Sequence, residues 1–235
     1  MKLEICANSY QSALNAQKAG AHRIELCSEL SVGGITPSYG LIKQVIDTLS
    51  IAVFVLIRPR SGNFTYSEEE FDIMKHDIQL CKNLGCAGIV SGVLNKDNTI
   101  DIERTQELIE LSKPLEFTFH RAFDCVENPQ EALEQLINLG VERVLTSGLE
   151  ASAEKGLELL KQLKEHVNGR ITILPGSGIN LQNAKLFKDA GFLEIHLSAS
   201  KVVKNNSKSS MFDEIQKESD IETIKTILKI INDEA

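Results

Sequence analysis

The sequence predicts an α/β fold, a single (β/α)8 TIM barrel, on two observations. Short apolar strands alternate with longer helical stretches eight times along the 235 residues, the cadence of repeated strand–helix units. The strands are also apolar on one parity only. Leu3-Glu4-Ile5-Cys6, Ile24-Glu25-Leu26-Cys27, Phe117-Thr118-Phe119-His120 and Glu194-Ile195-His196-Leu197-Ser198 each place Leu, Ile or Phe on one face and Glu, Cys, Thr, His or Ser on the other, because strand side chains alternate faces. An open doubly wound sheet, the runner-up, is covered on both faces and would read apolar on both parities. A barrel interior that opens into a site at one end accounts for the mixed parity.

The strands read at 2–6, 23–27, 52–58, 88–92, 116–120, 143–147, 171–175 and 194–198. Helices fall between them at 9–19, 37–49, 67–84, 101–112, 128–139, 152–167 and 180–190, with a last one at 219–232. Ser67 followed by Glu70 is a capping-box signature. Pro37 after Thr36 and Pro129 after Asn128 are prolines suited to a first helical turn. Gly20, Gly85, Gly140 and Gly191 each end a helix shortly before the next strand. No linker interrupts the pattern, so residues 1–235 are expected to form one domain. The polar segment 199–218 reads as a surface loop, with a lid over the barrel mouth as the alternative.

Composition narrows the function classes. No apolar run approaches the ~20 residues that span a bilayer, and Met1-Lys2-Leu3-Glu4-Ile5 leads straight into a strand without a signal-peptide pattern. A cytoplasmic protein with no membrane partner is expected. Five cysteines, an odd number, fit free thiols in a reducing compartment. A net charge of −8 argues against a nucleic-acid partner. The sequence has no Cys-x-x-Cys or His-Glu-x-x-His pattern, which argues against structural zinc.

In such barrels the site lies at the C-terminal strand ends. The residues collected there are Cys6, Cys27, Arg58, Ser91, His120, Arg121, Thr146, Ser147, Gly176, His196 and Ser198, with Glu4, Glu25, Thr118 and Glu194 one layer deeper. A buried carboxylate is costly unless paired, and Arg58 is the candidate partner for Glu25. Glu4 and Glu194 also fit an ionic network that plugs the barrel. Cys6 and Cys27 end two consecutive strands, ~4.8 Å apart in a barrel, so one metal ion can bridge them. Two soft thiolates suit Cu(I) better than a hard cation; the alternative is that both act as small buried hydrophobes. Cys81, Cys86 and Cys125 read as packing residues.

Thr118-Phe119-His120-Arg121-Ala122-Phe123-Asp124 is the densest chemical patch. His120 with Asp124 nearby reads as a general base and its orienting carboxylate, unless Asp124 caps the next helix or pairs with Arg121. Gly176, Ser177 and Gly178 after strand seven and Ser198 after strand eight read as an anion-binding pair of loops, or as ordinary tight turns.

With these blocks in hand the chain resembles the CutC family of copper-homeostasis proteins. EIC (4–6), RIELCSELSVGGITPSYG (23–40), IRPRSGNFTYS (57–67), FTFHRAFD (117–124), RVLTSG (143–148) and the LPGSGI and EIHLSAS segments match together and in order, from Met1 to about Ser200. The resemblance implies a cytosolic TIM barrel tied to copper handling, a copper site on Cys6 and Cys27, and homo-oligomerisation. The loop after Ser200 departs from longer relatives.

Three functions stay open on the sequence. One is Cu(I) held by Cys6 and Cys27. The second is an enzyme for a small anionic or phosphorylated substrate, with Glu25 or His120 as base, Arg58 as anion clamp, and Asp124 and His196 completing the catalytic set. The third is a catalytically silent scaffold. A pair of thiols favours the first, and the many ionisable groups around one mouth favour the second.

Overall fold

The computed structural model describes residues 1–203 and 216–233. In chain order it contains β1 (Lys2–Ala7), α1 (Tyr10–Ala19), β2 (Arg23–Leu26), α2 (Tyr39–Thr48), β3 (Ala52–Leu56), α3 (Glu68–Leu84), β4 (Gly88–Ser91), α4 (Ile102–Ser112), β5 (Glu116–Phe119), α5 (Pro129–Leu139), β6 (Arg143–Thr146), α6 (Leu157–Val167), β7 (Thr172–Pro175), α7 (Ala184–Asp189) and β8 (Glu194–Leu197). The strands form one parallel sheet in the order β7-β6-β5-β4-β3-β2-β1-β8. Because β8 pairs with β1 and packs beside β7, the sheet curls into a nearly closed barrel. The (β/α)8 prediction holds, and the open sheet is excluded.

Local chemistry accounts for most helix boundaries. Ser67 Oγ accepts from Glu70 N at 3.2 Å while Glu70 Oε2 accepts from Ser67 N at 2.9 Å, so the expected capping box starts α3. Asn128 caps α5, with Pro129 in its first turn. Pro37 is not in a first turn; Ser38 is the N-cap of α2 and accepts from Leu41 N. Helices α6 and α7 start later than the pattern predicts. Ala153 N is bonded to the Ser177 carbonyl at 2.9 Å, which ties the residues before α6 to the loop after β7. Ahead of α7, Asn180 Oδ1 accepts from Gln182 N and Asn183 Oδ1 from Asn180 N. Side chains there satisfy the amides that a helix would use.

The loop expected at 199–218 begins and ends in structure: β9 (Ser200–Val202) pairs antiparallel with β10 (Lys217–Ser219). Helix α8 (Ile221–Asn232) follows, capped by Asp220, and packs on α1 and α7. Residues 204–215, where the lid was the alternative, lie outside the described residues.

One strand parity points outward into the helices. Leu3, Ile5, Ile24, Leu26, Val53, Val55, Ile89, Phe117, Val144, Ile173 and Ile195 are buried there with the apolar helix faces. Burying each such side chain contributes about 1.5–3 kcal/mol. The other parity fills the barrel. Phe54 occupies its lower half, opposite Gly88, where a Cβ would stand 2.5 Å from the ring. Glycine is required there so that the aromatic ring can fit between β3 and β4.

Candidate metal and ligand site at the barrel mouth

The barrel interior is built in three levels. At the bottom, Arg23 bonds Glu4 through Nε and Glu194 through Nη2. Arg143 reaches Glu116 at 2.5 Å and Glu194 at 3.4 Å. Both guanidinium groups lie over the Phe54 ring, at 5.0 and 5.1 Å from its centroid. The ionic plug expected for Glu4 and Glu194 is therefore present, with Arg23 and Arg143 as its cations. His196 Nδ1 sits 2.7 Å from Glu4 Oε1 and joins this plug to the level above. Burial pushes the Glu4 carboxyl up, but His196 and Arg23 together outweigh it and hold the pKa at about 2. Burial pushes the His196 imidazole down, yet the hydrogen bond to Glu4 and the charges of Glu25 and Glu4 raise it above its ordinary value.

The middle level holds the sulfurs. The β1–β2 register sets Cys6 against Glu25, with Cys27 two residues further along the same face. Cys6 Sγ lies 3.6 Å from Cys27 Sγ and 3.9 Å from Glu25 Oε1. The hydrogen bond to Cys27 pushes the Cys6 thiol well up, and burial adds to it. Both cysteines are buried beside Phe54, Leu56 and Val90. One ligand atom each from Cys6, Glu25 and His196 falls within 4.8 Å of the others. Glu25 Oε2 is buried without a partner. Burial raises the Glu25 pKa to about 7, with His196 opposing and the Glu4 charge adding to the shift.

At the top, a cavity of about 500 Å³ is lined by Cys6, Glu25, Arg58, His120, His196 and Ser198 among others. Glu25, Arg58, His120 and His196 thus come from β2, the end of β3, the end of β5 and β8 to one space. Their expected pairings do not form. Arg58 is not the partner of Glu25: its Nη1 donates to the Val32 and Gly34 carbonyls at 2.9 and 2.8 Å, and its Nη2 to Gly62 at 2.8 Å. The guanidinium clips two loops together and lies 4.9 Å over Phe64. Asp124 does not orient His120. Its carboxylate accepts from Thr146 Oγ1 at 2.5 Å, Ser147 N at 3.0 Å, Leu149 N at 3.3 Å and Arg121 Nε at 2.7 Å, so it anchors the loop after β6. The backbone orients His120 instead: its Nδ1 accepts from Ala122 N at 3.3 Å. Burial, helped by the Arg58 charge, pushes the imidazole down to about 3, so His120 is neutral with its proton on Nε2.

Ser177, Gly178 and Ser198 line the cavity, but Gly176 does not contribute an anion-binding amide. Its N–H donates to the Thr146 carbonyl at 3.0 Å, and a Cβ there would lie 2.5 Å from Leu145 Cδ1. Its glycine identity is a packing requirement. Ser91, expected at the mouth, donates to the Ile57 carbonyl on the other parity. Cys81 and Cys86 are buried as expected, whereas Cys125 is exposed and lines the cavity. Sequence reasoning missed Phe64, whose ring is 4.9 Å from the His120 ring and carries Arg58. The sole hint was an aromatic residue in the polar turn after strand three.

The model of the CutC family matches residues 1–201. The chain is 51% identical over 200 residues to a family protein CutC of Proteus mirabilis, covering 85% of this chain and 80% of that one. It is 50% identical over 198 residues to the human copper homeostasis protein cutC homolog, covering 84% and 72% respectively. The crystal structure of the putative copper homeostasis protein CutC from Streptococcus agalactiae superposes with a TM-score of 0.79 at 34% identity, over 84% of this chain and 98% of the other. The chain belongs to the CutC family.

Proposed function

We propose that the chain acts in copper homeostasis in the cytoplasm by holding Cu(I) between Cys6 and Cys27. The observation that carries this reading is the 3.6 Å between their sulfurs. With metal–sulfur bonds of ~2.3 Å, an ion touches two sulfurs up to about 4.6 Å apart, so the pair can share one ion. Two thiolates are a soft donor set that selects Cu(I) over hard cations. The names of the human and Streptococcus agalactiae relatives support the copper-homeostasis role, and a reducing cytoplasm would keep both sulfurs available. Glu25 and His196 border the sulfurs and are the groups available to a bound ion as further ligands.

Thiolate ligands must shed their protons to bind. The Cys6 thiol, held above its ordinary pKa by Cys27 and burial, makes that step costly at neutral pH. Glu25 Oε1 already accepts the Cys6 hydrogen and is placed to take it. Apparent affinity should therefore rise with pH. The test is competition for Cu(I) between the reduced protein and a Cu(I) chelator. Cys6→Ser and Cys27→Ser should each weaken binding on the order of 100-fold through loss of one of two soft ligands. Equal affinity in wild type and both variants would eliminate this site.

A further inference from the structure

The mouth contains polar groups that copper does not use. Arg58 is 5% exposed, and its three hydrogen bonds run to neutral carbonyls. Among the described residues it has no carboxylate partner, and its Nε–H is buried without an acceptor. A buried, uncompensated cation is costly, and one that lines a cavity offers that charge to whatever enters. His120 is 4% exposed. Because its Nδ1 accepts the Ala122 N–H, its hydrogen sits on Nε2, which is also buried without a partner. Two donors without acceptors, just past the ends of β3 and β5, thus flank the same space beside Phe64. Ser177, Gly178 and Ile179 line the same cavity. Their amides donate no hydrogen bond among the described residues, and Ser177 and Gly178 have φ of +82° and +74°. Consecutive amides in such a turn form an anion-binding concavity. Glu25 Oε2, unpartnered as well, can pair with a ligand hydroxyl. A cavity of about 500 Å³ is within the range that holds a small molecule.

We propose that this cavity binds a small organic anion with two oxygen-bearing ends. A phosphate or carboxylate sits on the amides of 177–179, and a second oxygen, carbonyl or carboxylate, accepts from Arg58 Nε and His120 Nε2. The site uses no atom of Cys27 and goes beyond the copper reading without resting on it.

The test uses the reduced, copper-free protein with three probes: inorganic phosphate, glycolate and 2-phosphoglycolate. Titration calorimetry reads affinity, and heteronuclear NMR reads the Gly178 and Ile179 amides and the His120 Nε2–H. 2-Phosphoglycolate should bind at least about tenfold tighter than either one-ended probe, since it meets both sets of donors, and it should shift both sets of resonances. Whether phosphate or glycolate alone moves the Gly178 amide identifies the anion preferred at that end. His120→Asn keeps an acceptor for Ala122 N through its side-chain oxygen but lacks the Nε2–H, so it separates the ligand contact from the structural one. It should weaken 2-phosphoglycolate about tenfold, in line with loss of one hydrogen bond to a charged group, and leave phosphate unchanged. All titrations use copper-free protein, so the outcome is independent of the copper experiment. The proposal is overturned if 2-phosphoglycolate leaves the His120 and Gly178 signals in place, or if His120→Asn binds it as tightly as the wild type.

Discussion

The bottom and the mouth of this barrel hold similar inventories of charge and treat them in opposite ways. At the bottom, Arg23 joins Glu4 and Glu194, and Arg143 joins Glu194 and Glu116. Those charges pair with one another and form a plug. At the mouth, Arg58 meets only carbonyls, and Glu25 Oε2 and His120 Nε2 have no partner. Buried polar groups are ordinarily paired. Pairing fails most in the two upper levels, those of the sulfurs and of the cavity. The same residue types are thus structural at one end of a strand and available for chemistry at the other, a few residues along the same face.

The largest expected effect tests the closed end. Arg23→Leu leaves Glu4 and Glu194 buried with one cation fewer, and breaking a buried ion pair in this way costs about 3–5 kcal/mol. Chemical denaturation should show that loss. A loss below about 1 kcal/mol would mean that the bottom is no better paired than the mouth.

The second test is the pH dependence of stability, which should have opposite signs at the two ends. Glu4, held at about 2 against an ordinary 4.5, stabilises the fold above pH 4.5, and that contribution is lost as pH falls toward 2. Glu25, raised to about 7, binds its proton more tightly in the folded state. Its contribution is full below pH 4.5 and is lost as pH rises through 7. Glu25→Gln removes this titration, so its advantage over the wild type should grow between pH 5 and pH 8, by up to about 3 kcal/mol. Denaturation of both proteins at the two pH values measures it. A difference that stays constant with pH would show that Glu25 is not held in its protonated form.

The smallest effect probes the wall between Arg58 and His120. Phe64→Leu keeps an apolar side chain but removes the ring that the buried Arg58 covers, a contact of about 2 kcal/mol. Stability should fall by no more than that amount. A larger loss would make Phe64 part of the structural framework rather than a lining of the open mouth.

Legibility followed the range of the interaction. The period-two alternation in Leu3-Glu4-Ile5-Cys6 and Ile24-Glu25-Leu26-Cys27 is a local property, and it placed Cys6 and Cys27 on one face of adjacent strands. The plug was foreseen for Glu4 and Glu194, but its cations were not, because Arg23 and Arg143 act across strands whose stagger the sequence does not display. The segment around His120 was legible as a chemical patch; the His120–Asp124 pairing does not form, and the alternative, Asp124 with Arg121, does. Asp124, four residues along the chain, folds toward the amides after β6, and His120 caps its own turn.

By itself, the sequence determined the repeated strand–helix order, the inward polar parity, the helix starts at Ser67 and Asn128, and the two thiols at neighbouring strand ends. Each depends on residues close in the chain, where backbone geometry alone fixes which side chains share a face. The tertiary structure decided which charges cancel. Closing the sheet through β1 and β8 brings His196 to Glu4, and the loops after β2 and β3 bring three carbonyls to Arg58. Hydrogen bonds and ion pairs act over a few ångströms between groups far apart in sequence, so only the folded chain separates a closed ionic plug from an open mouth.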